Sequence, residues 1–249
     1  MCTVSFLPTR RGFLLAMNRD ELKSRPQGLA PRPRKAGSRL CLYPSEPSGG
    51  SWTGVNEAGL ALALINWYEK PQRDRSLCIS RGIVVPHLLA FADLTRIDAG
   101  IVELPLSRIN PFRLIAISFR ESAIREWRWD GAVLTSKRRG WKRRHWFSSG
   151  LDEALANRKR AAVTKEAAEA ASAETPAWLR RLHRSHRAER GVFSICMHRD
   201  DAETVSYTEI AATARGAEMR HASGAPCTAK RGQPRLLSFA GEAGMNQPR

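Results

Sequence analysis

No apolar run in the 249-residue chain approaches the roughly 18 residues that span a bilayer as a helix. Membrane-spanning helices are therefore not expected, and hydrophobic residues at 42% with charged residues at 26% describe an ordinary globular composition. The N-terminus lacks the basic region, apolar stretch and small-residue cleavage site of an export signal, so Cys2 is expected to survive processing and the cytoplasm is the expected location. CxxC pairs are also absent. Cys2, Cys41, Cys78, Cys196 and Cys227 are odd in number and scattered, which argues against a disulfide framework and a structural zinc site. No internal repeat is evident, and none of the six histidines is spaced for a Cys–His dyad.

Acidic residues are few, 24 against 41 Lys and Arg, leaving a net charge of +17. Such an excess permits weak non-specific contact with nucleic acid or other anionic surfaces. It is concentrated in SKRRGWKRRHW (136–146), NRKR (157–160) and WLRRLHRSHRAER (178–190). Trp141 and Trp146 interleave with the first of these, the arrangement a nucleic-acid reading needs, but no nucleic-acid motif accompanies them.

The order of elements predicts an α+β fold of antiparallel sheets covered by helices rather than βαβ units. Residues 3–7 and 13–18 read as a hairpin turning near Arg10, which sets Val4 opposite Ala16, Cys2 level with Asn18, and Asp20 just past the strand end. The Pro- and Arg-rich stretch SRPQGLAPRPRKAGSRL reads as an irregular loop. A second hairpin, 52–55 with 60–66, is punctuated by Gly49, Gly50 and Gly59. Ser80 opens a helix, with a further helix or turn near 93–98, and FRLIAISF and AIREWRW read as strands before the turn signal Asp130-Gly131. A helix is predicted within 151–173, and GVFSICMHRD with ETVSYTEI reads as a last hairpin. One domain over 1–210 is expected, followed by a poorly ordered basic tail over 211–249.

Cys2 offers an unusual combination. If Met1 is removed, the residue supplies both a thiol nucleophile and, through its α-amine with an ordinary pKa of about 7.7 to 8.0, the base that activates it. Its position alone reads equally as a small buried apolar side chain on a terminal strand. A carboxylate brought back by the hairpin would orient the amine, and Asp20 stands near that place, although Asn18 and Asp20 also suit a turn cap. Asn66 ends the apolar strand ALALIN and is a candidate oxyanion donor.

MCT, FLLAMNRDELKSRP, GGSWTGVNEAGLALALINW and RGVFSICMHRDDAETVSYTE together resemble the NRDE family, the transport and Golgi organization 2 (TANGO2) proteins. That family looks like a branch of the N-terminal nucleophile hydrolases, related to the penicillin V acylase and choloylglycine hydrolase group with its four-layer αββα fold. The resemblance implies Cys2 as nucleophile, Asp20 as the residue binding its amino group, Asn66 as oxyanion donor and Arg190 as a supporting cation. It makes Asn18, Arg19, Trp52 and Ser149 the expected ligand contacts. Met17 stands where the acylases carry an Arg, and Ser149 where they carry a second oxyanion Asn. The implied activity is cleavage of a non-peptide amide without a cofactor. A second implied reading is a non-catalytic carrier of haem or a lipid-like hydrophobic ligand.

Overall fold

The computed structural model describes residues 2–170, 174–187 and 189–240. In chain order the strands are β1 (Cys2–Thr9), β2 (Gly12–Leu22), β3 (Leu29–Ala36), β4 (Arg39–Ser45), β5 (Thr53–Asn56), β6 (Leu60–Asn66), β7 (Phe112–Ser118), β8 (Ala123–Trp129), β9 (Leu134–Arg139), β10 (Arg144–Ser148), β11 (Ala202–Thr213), β12 (Gly216–Ser223) and β13 (Arg235–Ser238). The helices are α1 (Val84–Leu88), α2 (Leu94–Val102), α3 (Glu153–Ala167) and α4 (Pro176–His183). All strand pairings are antiparallel, in a six-stranded sheet ordered β10-β1-β2-β11-β12-β13 and a seven-stranded sheet running from β3 to β9 in sequence order.

Strand alternation builds four layers from this pairing. Val4, Phe6, Phe13, Leu15 and Met17 of the six-stranded sheet meet Ala61, Ala63, Ile65, Ile115 and Ile117 of the other, forming the core between the sheets. Leu60, Leu62 and Leu64 face the opposite way, onto Val84, Leu88, Leu94 and Ile97 of α1 and α2. Leu7, Leu14 and Ala16 likewise turn toward Val163 of α3 and Trp178, Leu179 and Leu182 of α4. The order is helix, sheet, sheet, helix, and the predicted αββα class holds. Each large side chain so buried contributes on the order of 1.5–3 kcal/mol.

The first hairpin forms with a register one residue from that expected: Val4 faces Met17 and Cys2 faces Arg19. A one-residue slip reverses the face of every partner, so it is Arg19 that shares the inter-sheet face with Cys2. Asp20 lies inside β2, which runs on to Leu22 because β11 pairs with it as far as Ala202.

The Pro-rich stretch is irregular only as far as Gly28; from Leu29 it forms β3 and the start of β4. As the edge strand, β3 tolerates Pro31 and Pro33, whose missing N–H groups would interrupt an interior ladder. Conversely, 191–196 is turns and bends rather than a strand, with a single bridge between His198 and Glu203. The tail is also corrected: β11 continues to Thr213, and β12 and β13 complete the sheet, with Ala217, Met219 and Leu237 in the inter-sheet core. Residues 241–249 lie outside the described residues. Trp141 packs edge-on against Phe6, ring centroids 4.8 Å apart, and Trp146 is buried, so neither ring is free to stack on a base. Among the described residues, no helix is long and apolar enough to cross a membrane.

Candidate functional site

Cys2 opens β1 between two partners, paired to Arg19 of β2 on one side and Ser148 of β10 on the other. Its side chain meets a cavity of about 260 Å³ between the sheets, whose walls include Arg19, Asp20, Glu21, Glu46, Trp52, Asn66 and Tyr68. The sulfur accepts a hydrogen bond from the Asp20 backbone N–H. Burial pushes the thiol above its ordinary range, and the Asp20 charge adds to this while Arg19 opposes it.

Behind Cys2 is a fully buried ion pair that the sequence motifs do not reveal. Arg160 of α3 places Nη2 3.4 Å from Asp20 Oδ2, and its Nη1 donates to the Cys2 carbonyl, to Thr3 Oγ1 and to the Ser148 carbonyl at 3.2–3.4 Å. Thr204 donates to the other Asp20 oxygen at 2.6 Å. Next to this contact β11 slips register between Thr204 and Ser206, the bulge that bends the strand around Asp20 and Arg19. Arg160 belongs to NRKR, which charge alone presents as solvated surface.

Arg19 lies with its guanidinium carbon 4.5 Å from the Trp52 ring centroid and its Nη2 2.6 Å from Glu46 and 3.2 Å from Glu21. Both expected ligand contacts therefore stand in one cavity wall. Opposite them, Asn66 at the end of β6 donates to the Tyr68 hydroxyl at 2.6 Å. Glu153 of α3 accepts from the Tyr68 and Glu69 backbone N–H groups and pairs with Arg113 at 3.1 Å, fixing this corner. At the rim Gly50 meets Gly82, where an added Cβ would come within 3.1 Å of the Gly82 Cα, and the Ser51 N–H donates to the Gly82 carbonyl.

Three expected site residues fall elsewhere. Arg190 is exposed and lies by His186 and His198, whose pKa values burial and then its charge depress. The buried cation beside Cys2 is Arg160, because α3 rather than the segment before residue 191 lies under β1. Asn18 faces the helix layer, opposite to Arg19 by strand alternation: its Nδ2 donates to the His183 and Ile195 carbonyls, and its Oδ1 faces His183 Nδ1, all at 2.9 Å. His183 Nε2 in turn meets Ser5 Oγ at 2.8 Å, and the same oxygen meets His145 Nδ1 at 2.8 Å. Ser149 follows the end of β10, is absent from the cavity lining and accepts from the Leu151 N–H. Its neighbour Ser148 is the residue opposite Cys2, with a buried Oγ that has no hydrogen-bond partner among the described residues.

Two antiparallel sheets with helices on both outer faces form a four-layer αββα fold that solved structures share. The penicillin V acylase from Agrobacterium tumefaciens superposes with a TM-score of 0.55 at 12% identity, covering 97% of this chain and 100% of that one. A mutant and a variant of the conjugated bile acid hydrolase from Clostridium perfringens give 0.52 and 0.55 at 10% identity, each covering 96% of this chain and 97% of that one. The family model for Transport and Golgi organisation 2 (TANGO2) matches residues 1–208, and the chain belongs to that family. No curated protein matches it.

Proposed function

We propose that this protein is a cysteine amidohydrolase of the N-terminal nucleophile type, cleaving a non-peptide amide through an acyl-enzyme on Cys2 in the cytoplasm. The observation that carries the reading is the Cys2 thiol at the cavity, flanked by Arg19 and Ser148 in register and backed by the Asp20–Arg160 pair.

The reaction requires removal of Met1. The freed α-amine of Cys2 takes the thiol proton, and the thiolate attacks the amide carbonyl, moving an electron pair onto oxygen. Asn66, in the cavity wall, donates through Nδ2 to that oxyanion. As the C–N bond breaks, the ammonium returns its proton to the leaving amine, leaving a thioester. Water then loses a proton to the amine, attacks the thioester and releases the acid. Asp20 holds the ammonium, while Arg160 holds Asp20 and the Cys2 carbonyl in place. The cavity walls carry Arg19, Arg25, Glu21 and Glu46, so they favour a small polar acyl group over a large planar apolar ligand such as haem.

Intact mass with a thiol-directed acyl probe tests the reading. A chain lacking Met1 that gains one acyl group, lost in Cys2→Ala, is expected. Retained Met1, or turnover unaffected by Cys2→Ala, would sink it. Haem binding in defined stoichiometry without amidase activity would favour the carrier.

A further inference from the structure

Four side chains outside the cavity converge on one point. His186 follows α4, Cys196 and His198 sit in the irregular segment before β11, and Cys227 lies in the loop between β12 and β13. Their ligand atoms all lie within 4.8 Å of one another. His186 Nε2 is 3.1 Å from His198 Nε2, and the sulfurs of Cys196 and Cys227 are 3.6 and 3.5 Å from that same nitrogen.

Those separations have a simple geometric meaning. A tetrahedral zinc ion with Zn–N near 2.0–2.1 Å and Zn–S near 2.3 Å sets its ligands about 3.3 Å apart for N···N and about 3.6 Å for N···S. The three separations to His198 Nε2 lie close to these values. We propose that His186, Cys196, His198 and Cys227 form a structural zinc site.

The chemistry balances. Each thiol gives up one proton to solvent and each imidazole stays neutral, so two thiolates cancel the charge of one divalent ion. Two soft and two borderline donors in tetrahedral array select zinc over calcium, magnesium or manganese. Four protein ligands leave no open position for water or substrate, which makes the site a staple rather than a catalyst. Glu203 Oε2 lies 4.0 Å from His198 Nδ1, the place of the carboxylate that orients a metal-bound histidine.

The staple also has something to hold. The segment carrying two of the ligands has a single bridge, His198 with Glu203, and its order otherwise rests on a few backbone bonds such as Cys196 N–H to the Ser185 carbonyl at 3.0 Å and His198 N–H to the Gly191 carbonyl at 3.2 Å. Between the ligands, the Met197 N–H donates to Thr204 Oγ1, which donates to Asp20. The Ile195 carbonyl accepts from Asn18. The ion would thus brace the back of both Asn18 and Asp20. The absence of CxxC hid this site, because its ligands come from three separate segments and only Cys196-x-His198 is local.

Elemental analysis of the purified full chain tests the proposal. About one zinc per chain is expected, kept in Cys2→Ala and lost in the double variant Cys196→Ser with Cys227→Ser. Chelated wild-type protein titrated with cobalt(II) should give the intense visible bands of a tetrahedral site and a thiolate charge-transfer band, both bleached by zinc. The cobalt titration decides the matter if the double variant fails to fold. Wild-type protein with no zinc and no tetrahedral cobalt spectrum, zinc retained in a folded double variant, or a Cys196–Cys227 disulfide in the native protein would each overturn it.

Discussion

Arg160 and Asp20 approach to 3.4 Å with both side chains wholly withdrawn from solvent. An ion pair of this kind is costly to break because either partner left alone is a buried charge. Arg160→Met is expected to destabilise the fold by about 3–5 kcal/mol, seen as a drop in thermal midpoint. Adding Asp20→Asn should restore part of the loss. A single variant as stable as wild type would show that the pair carries no structural weight.

In the proposed mechanism Asn66 donates to the developing oxyanion, so Asn66→Ala should lower kcat roughly 10²- to 10³-fold with little change in KM. Tyr68→Phe should act more weakly, through the orientation of the Asn66 amide. Steady-state kinetics on any amide the protein turns over separates the two, and equal losses in both variants would contradict this division of roles.

Arg19 is one of the positive charges that oppose the burial of the Cys2 thiol, after the terminal amine. Arg19→Gln should push that thiol still higher and slow its alkylation by iodoacetamide at neutral pH. Alkylation of the wild-type thiol should accelerate as pH rises beyond the ordinary thiol range. An Arg19→Gln thiol alkylated as fast as the wild type would remove Arg19 from the electrostatics of the site.

Burial pushes His145 and His221 down to about 4 and His183 to about 3, each below the ordinary histidine value of 6.5. The folded state therefore binds fewer protons than the unfolded chain once pH falls below about 6.5, and stability decreases from there toward pH 3. Thermal unfolding between pH 7 and pH 5, where most carboxylates remain ionised, should show a falling midpoint. A flat profile across that interval would contradict neutral burial of the three rings.

The alternating apolar pattern made the layers legible from sequence, because Phe6, Phe13, Leu15 and Ala61 sort to one face by parity alone. The exact pairing was not legible. A turn centred half a residue further on, between Arg10 and Arg11, moves the partner of Cys2 from Asn18 to Arg19, and nothing in PTRRG distinguishes the two. Cys2, Asp20, Asn66, Arg19 and Trp52 come together because each lies on a strand or strand end whose place the hairpins determine. Arg160 was hidden for a different reason. Its run of charges looks solvated, and only the docking of α3 under β1 buries one arginine while Arg158 and Lys159 remain outside it. β12 and β13 were missed because single-residue alternation in GAEMRHAS is short and broken by charges.

Ser5 has one hydroxyl hydrogen and touches two rings. Asn18 spends both amide hydrogens on carbonyls, so its oxygen must accept from His183 Nδ1–H, which leaves His183 Nε2 bare. Ser5 must then give its hydrogen to His183 and receive one from His145. A polarity is thereby written through four side chains from the β10 edge to the end of α4, with each tautomer dictated by the next. Nitrogen chemical shifts should report the same tautomer in both rings, protonated at Nδ1 and bare at Nε2, and a charge placed on either imidazole would have to reverse or sever the whole line.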